Sequence, residues 1–305
     1  MLNVALCYSD KNRFFTPGSY IMKELAGQSD VEVVAHPVIP EDTGILEAQC
    51  DKQIDLVIVI DDGVTHFKLH HHKDKFLKKT KFCYWVSDLH RQDWAFWRLS
   101  MMQQFHYDHI FYAQKSFKDV VMKQGYAESE CSFLPHAVDA EIFKPMPQVK
   151  KKYDMGFTGY QNDRRKKATE ILKQFVNFKH TDSIWAWSAA RAINETKVGF
   201  NMSVEDSDVC NMRVFETLAC GVPLLTNFSP NCGLEDLFGN DYENKMLAYS
   251  SEEEMKEKAV RLIASSELRR VLSQNGRQHV LAFHTYRNRI NTVLGTMGVE
   301  LLKSF

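Results

Sequence analysis

The sequence predicts an α/β chain built as two doubly wound, mostly parallel sheets, and three observations carry that prediction. Short β-branched or aromatic runs alternate with helical stretches, a pattern that sets parallel strands side by side with helices on both faces. The 305 residues suit two domains of ordinary size better than one very large core. A composition shift through Pro147 and Lys150-Lys151-Lys152 marks a boundary, which we set at 147/148.

In the first half, residues 3–8 read as a buried strand that opens the domain at once. A polar loop over 9–19 carries Pro17-Gly18, and 20–26 reads as a helix. Further strands are expected at 31–36, 54–60, 82–86, 110–113 and 131–134, most of them separated by helical segments. In such sheets ligands bind outside the carboxyl ends of the strands. That rule selects Ser9-Asp10, Asp61-Asp62-Gly63 and Ser87-Asp88-Leu89-His90, with Gly18 as a point where backbone can approach a ligand. Asp88 equally suits a helix N-cap before Leu89.

In the second half, a strand over 153–157 runs into a turn at Gly159, and Asn162-Asp163-Arg164-Arg165 opens a helix. A strand is expected at 183–187, a helix at 188–196 and a strand at 197–202. Next comes the most informative stretch, Asp208 to Asn227. Val214, Phe215, Leu218 and Ala219 recur at helical spacing, Gly221 suits the left-handed residue that ends a helix, and Pro223 cannot continue it. Leu224 and Leu225 then read as a buried strand that stops at Thr226 and Asn227. Glu216 stands out, because an unpaired carboxylate near the start of a helix with an apolar face is costly. Ser250 and Ser251 followed by three Glu residues read as a helix cap, and amphipathic helices follow over 252–264 and 267–283.

Composition narrows the function class. Lys+Arg 38 against Asp+Glu 39 leaves a net charge of −1, so no global field draws the chain to nucleic acid or membrane. The scattered cysteines, odd in number and without a C-x-x-C pair, argue against a disulfide framework or zinc knuckle and fit a reducing cytoplasm. The N-terminus lacks a basic n-region and is too short for a signal peptide, and no stretch reaches membrane-span length. No Walker loop, G-x-S-x-G elbow or H-E-x-x-H motif occurs. His66, His70, His71 and His72 lack an acidic or Cys partner at fixed spacing and read as a polar loop or helix face. Asp206-Ser207-Asp208 spells a D-x-D that can hold a divalent cation, but it lies beside a better-explained motif, and no metal is assigned.

Asn211-Met212-Arg213, Phe215-Glu216 and Ala219-Cys220-Gly221-x-Pro223 resemble the nucleotide-sugar site of GT-B glycosyltransferases, especially the CgeB/YkvP-like group. Pro135 to Pro145 resembles the interdomain segment of such enzymes, with His136 and Ala137 where others carry Asn and Gly; His284-Thr285-Tyr286-x-x-Arg289 resembles their C-terminal H-T-Y-x-x-R. The resemblance implies two Rossmann-like domains with a cleft between them: an acceptor domain (1–147), a nucleotide-sugar domain (148–283) and a C-terminal helix (284–305) crossing back to the first. It implies that Glu216 binds the ribose hydroxyls and that Asn211, Met212 and Arg213 face the diphosphate. Gly159, with Arg164 or Arg165, would lie on the phosphate side, and Thr226 would join Glu216, Arg213 and Arg164 in holding the nucleotide. A helix start and a guanidinium fork favour phosphate on physical grounds as well, whereas Arg164-Arg165 also fits a plain solvated helix start.

Many retaining members carry two Glu residues eight apart; eight before Glu216 stands Asp208, a carboxylate that can meet an oxocarbenium-like charge. Inversion instead needs a base from the first domain, for which Asp88 and His90 are the candidates and Asp10 a weaker one. The family implies transfer of a hexose to an acceptor hydroxyl, with UDP-glucose as the default donor, retention of configuration, and neither metal nor other cofactor. The acceptor stays open among a glycan, a protein, a small molecule and a modified nucleic acid. Two alternatives stay open: a non-catalytic nucleotide-binding or structural relative, motivated by Asp208 in place of Glu, and transfer to a modified DNA base stacked on Trp85, Trp94, Phe96 or Trp97.

Overall fold

Parallel strands dominate the computed structural model, which describes residues 1–8, 16–35, 54–61, 80–87, 89, 92–204, 210–230 and 232–299. The chain divides into two compact units, Met1–Pro135 with Tyr286–Phe305, and His136–Thr285. Residues 136–147, assigned from the sequence to the first domain, thus group with the second unit.

Unit 1 holds β1 (Leu2–Cys7), β2 (Val31–Ala35), β3 (Leu56–Ile60), β4 (Lys81–Val86), β5 (His109–Tyr112) and β6 (Cys131–Phe133). They form one parallel sheet in the order β2-β1-β3-β4-β5-β6. Every residue of β3 is buried, as expected of a strand covered on both faces. Helix α1 (Pro17–Ala26) begins earlier than the sequence suggested. Thr16 and Ser19 form a capping box and Pro17 takes the first turn, so the Pro-Gly pair starts a helix rather than a loop. Gly18 is buried there, and a Cβ on it would lie 2.2 Å from Cγ of Tyr8. The close approach it permits is to a tyrosine ring. Helix α2 (Gln92–Gln104) follows β4, and α3 (Lys118–Met122) follows β5.

Unit 2 holds β7 (Tyr153–Thr158), α4 (Asp163–Leu172), β8 (Phe178–Thr181), α5 (Ala186–Asn194), β9 (Thr196–Asn201), α6 (Met212–Ala219), β10 (Leu224–Asn227), α7 (Leu234–Phe238), β11 (Leu247–Tyr249), α8 (Glu252–Ala264) and α9 (Ser266–Phe283). The strands pair in parallel in the order β11-β10-β9-β7-β8. The strand expected at 183–187 is not there. Its place in the sheet belongs to β8, and positive φ angles at Ser183 (55°) and Ala186 (48°) turn the chain into α5. Ile184-Trp185-Ala186-Trp187 imitates an alternating strand, while the real edge strand, Phe178-Lys179-His180-Thr181, is masked by its polar residues.

Val138 pairs with Thr285 and donates its N–H to the His284 carbonyl, so the two segments that bound unit 2 run side by side. The last helix, α10 (Tyr286–Thr296), belongs to unit 1 and packs on α1. Arg289, buried, donates from Nε to the Pro135 carbonyl at 2.8 Å, and Tyr286 lies against Tyr20. The H-T-Y-x-x-R motif is therefore the stitching of a chain crossover. Burial pulls the Arg289 guanidinium down to about 10.

Candidate functional site

At the carboxyl end of the unit 2 sheet, α6 begins with Asn211 as its N-cap. Asn211 Oδ1 accepts from Arg213 N at 3.0 Å, and its carbonyl accepts from Val214 N at 3.1 Å. The cap thus consumes two helix-start N–H groups and leaves the Met212 amide and the helix dipole for an anion. The Asn211 side chain is itself held: Nδ2 donates to Asn201 Oδ1 (3.0 Å), and Asn201 Nδ2 donates to Thr226 Oγ1 (2.9 Å). Asn201 and Thr226 are fully buried. Thr226 therefore supports the site from behind, through two asparagines.

Asn201 and Asn227 read from the sequence only as parts of strands, without a role at the site. Asn227 grips the chain just beyond β9, accepting from Ser203 N at 2.8 Å and donating to Ser203 Oγ at 3.0 Å. The available signal was a polar residue ending an otherwise apolar buried strand, which must be satisfied where it stands.

Glu216, one turn into α6, is 2% exposed and accepts from Nη1 of Arg213, which is half-buried. The i,i+3 spacing places the fork over the carboxylate. Gly159 closes the other side at φ +144°, and a Cβ there would sit 3.8 Å from Arg213 Nε and 3.4 Å from Phe157 Cζ. His180 Nε2 bonds the Gly159 carbonyl at 2.9 Å and stacks on Phe157, and Gly159 N donates to the Thr181 carbonyl.

Of the paired arginines, Arg164 is half-buried and Arg165 is buried. Arg165 donates from Nε to the Met202 carbonyl (2.7 Å) and from Nη1 to the Tyr160 carbonyl (2.8 Å), and its guanidinium lies 5.2 Å from the Phe157 ring centre. Burial pulls it down to about 10, with Arg213 and Arg164 pushing the same way and Asp182 and Tyr160 opposing. Three guanidinium groups thus share one sheet end with Glu216, an arrangement that favours an anion.

The structure gathers Glu216, Arg213, Met212, Asn211, Gly159, Arg164, Arg165 and Thr226 at this end. Asp208, Asp88, His90, Asp10, Asp206 and the histidines at 66 and 70–72 lie outside the described residues. Among the described residues no group of three His, Cys, Asp or Glu stands together as a metal site. Of the aromatics considered for base stacking, Trp85 is buried and donates its indole N–H to the Leu134 carbonyl, whereas Phe96 (69% exposed) and Trp97 (58%) form an open edge-to-face pair. The Trp94 side chain lies outside the description.

A family model described as glycosyl transferase-like matches residues 140–295, just over half of the chain. The chain belongs to that family. It is accordingly an enzyme of the transferase class. No curated protein matches the chain.

Solved structures agree on the fold. An alpha-glucosyltransferase, solved with UDP and a 13-mer DNA containing an HMU base, superposes with TM-score 0.73 at 9% identity, over 97% of this chain and 99% of that one. Sucrose-phosphate synthase from Thermosynechococcus elongatus superposes at 0.67 with 11% identity (98% and 99%). Anabaena HepE in complex with UDP superposes at 0.64 with 10% identity (98% and 100%). At such identities the likeness establishes the fold, two Rossmann-like units of the GT-B type. No helix among the described residues is long and apolar enough to cross a membrane.

Proposed function

We propose that this transferase moves a hexose from a nucleotide-sugar, UDP-glucose by default, to an acceptor hydroxyl, with retention of configuration and without a metal, as a member of the CgeB/YkvP-like group. The observation that carries the reading is the Arg213–Glu216 pair at the start of α6, set against Gly159 and two further arginines. In this reading Glu216 accepts from the ribose hydroxyls, while Arg213, Arg164 and the Met212 amide take the diphosphate. As the bond from the sugar C1 to the phosphate oxygen breaks, these groups hold the charge that develops on the leaving diphosphate. The acceptor oxygen bonds to C1, and its proton leaves with the diphosphate. Asp208 is proposed beside the transferred sugar; for an inverting course Asp88 or His90 would take the acceptor proton. UDP in the HepE and alpha-glucosyltransferase structures supports the donor class. The described cysteines, free and buried, support a reducing cytoplasm.

A thermal-shift series with UDP, GDP, TDP and their sugars, wild type beside Glu216→Ala, tests the reading. At a hundred times its Kd, a nucleotide that binds only the folded state adds about 2.7 kcal/mol of stability. One nucleotide should stabilise the wild type and leave the variant unmoved; no shift with any of them sinks the donor site. Release of free sugar from the stabilising donor then identifies the donor that is turned over.

A second reading, transfer to a modified DNA base, is favoured by the open Phe96–Trp97 pair, since bases stack on exposed aromatics. Phe96→Ala with Trp97→Ala should then abolish retention of hydroxymethyl-bearing single-stranded DNA. Binding that survives both changes excludes this reading.

A further inference from the structure

We infer that Arg165 is a positioning residue of the donor site: it ties the Gly159 turn to the end of β9 and so sets where Arg213 and Arg164 meet a diphosphate, without touching it. The inference rests on the donor-site reading above and adds a division of labour within its arginines. Arg165 serves two carbonyls from two separate segments. Nε takes Met202, the first residue beyond β9, and Nη1 takes Tyr160, the residue after Gly159. One guanidinium plane therefore fixes the distance between the glycine turn and the strand that leads toward Asn211 and Arg213. The residue is locked from below as well. Its backbone N–H donates to the N-cap Asn162 Oδ1 at 3.0 Å, and its plane lies over Phe157, whose ring also supports Gly159 and stacks on His180.

An apolar residue filling this space would leave the Met202 and Tyr160 carbonyls without their donor, so the side chain is kept for its fork and not for its volume. Here a cation is kept at 7% exposure with two more arginines close enough to oppose its charge. An entering diphosphate relieves that opposition, so the buried charge favours the anion through a medium of low dielectric. The geometry cannot be supplied by lysine. An ammonium is a single point on a flexible stem, whereas the fork meets two carbonyls with two nitrogens held at a fixed spacing.

The test is calorimetric titration of UDP, and of uridine as a ligand without the diphosphate, into wild type, Arg165→Lys and Arg165→Gln, with melting curves for each. Both variants should lose at least tenfold in UDP affinity while uridine binding stays within twofold, and donor KM should rise by a larger factor than kcat falls. UDP binding by Arg165→Lys equal to wild type overturns the positioning role, since charge alone would then suffice. Equal losses for UDP and uridine, or failure of both variants to fold, also overturn it, because Arg165 would then be holding the fold. Absence of UDP binding by the wild type removes the donor reading and the inference together, and so is distinguishable from failure of the inference alone.

Discussion

Two sheet ends in this molecule each hold a buried arginine, and they handle its charge in different ways. In unit 1, Arg98 (3% exposed) donates from Nη2 to the Asp61 carbonyl at 3.0 Å and lies 3.2 Å from the Asp61 carboxylate, which in turn accepts from Ser87 N at 2.9 Å. The guanidinium faces a carboxylate, and helix α2 is pinned to the ends of β3 and β4. In unit 2, Arg165 donates to two neutral carbonyls and has Arg164 and Arg213 for company. The first arrangement is closed, with charge answered by charge. The second is mixed: Arg213 is paired with Glu216, Asp182 acts on Arg165, and Arg165 itself is held by neutral carbonyls rather than by a carboxylate of its own, which suits an end that receives an anion. A buried arginine thus says little by itself; what faces it separates a structural tie from a ligand site.

The contrast is broken most sharply at Asp61. Asp61 is half-buried, and Arg98 keeps its bond to the Asp61 carbonyl, so Asp61→Ala, which takes the carboxylate from a buried guanidinium, should cost about 2 kcal/mol in chemical denaturation. Nucleotide should not restore that loss beyond the increment it gives the wild type. A cost below 1 kcal/mol would mean that the pair is not closed in solution.

At the unit 2 end the largest single effect is expected at Gly159. A side chain at φ +144° is strained, and the added Cβ faces Arg213 Nε at 3.8 Å and the Phe157 ring at 3.4 Å. Gly159→Ala should cost about 2 kcal/mol of stability and weaken UDP binding beyond what that loss explains. Unchanged binding in a destabilised variant would make Gly159 a turn residue only. Thr226→Val is milder. It removes the acceptor of Asn201 Nδ2 in a fully buried place and should cost about 1 kcal/mol. The loss should appear in the stability of unit 2 before it appears in turnover, because Thr226 acts through Asn201 and Asn211.

The same contrast explains what was legible in the sequence. Unit 2 announced itself because its site is local: Asn211, Arg213 and Glu216 lie within two turns of one helix, and Gly221, at φ +67°, ends that helix where the pattern placed its stop. Caps were readable for the same reason, as Ser251 accepting from Glu254 N shows. What stayed hidden depends on long-range partners. Nothing in Arg164-Arg165 tells which arginine turns inward, since that is decided by carbonyls at Tyr160 and Met202. Gly18 read as a loop glycine because the Tyr8 ring it accommodates comes from another element. The Ile184-Trp185-Ala186-Trp187 alternation misled because two left-handed residues, invisible in composition, bend it out of the sheet.

The smallest expected effect concerns protons. Each unit carries a histidine whose charged form burial disfavours, His109 buried and His279 half-buried. His109 pairs with Ser132 Oγ at 2.8 Å in unit 1, and His279 bonds the Leu237 carbonyl at 2.7 Å beside His284 in unit 2. Both therefore titrate below their ordinary value of 6.5 in the folded chain. The sign follows directly: the unfolded chain takes up these protons first, so the stability each neutral imidazole contributes is complete above about pH 6.5 and is lost as pH falls through the folded value. Glu130 pulls against this at His109; at His279 the Leu237 carbonyl and, more weakly, Asp241 pull against it, while Lys245 adds to the lowering. Melting midpoints followed from pH 7.5 down to 5.0 should fall, and His109→Gln and His279→Gln, the latter keeping a donor for Leu237 without a titrating ring, should each flatten the slope. Equal slopes in wild type and both variants would show that acid acts elsewhere.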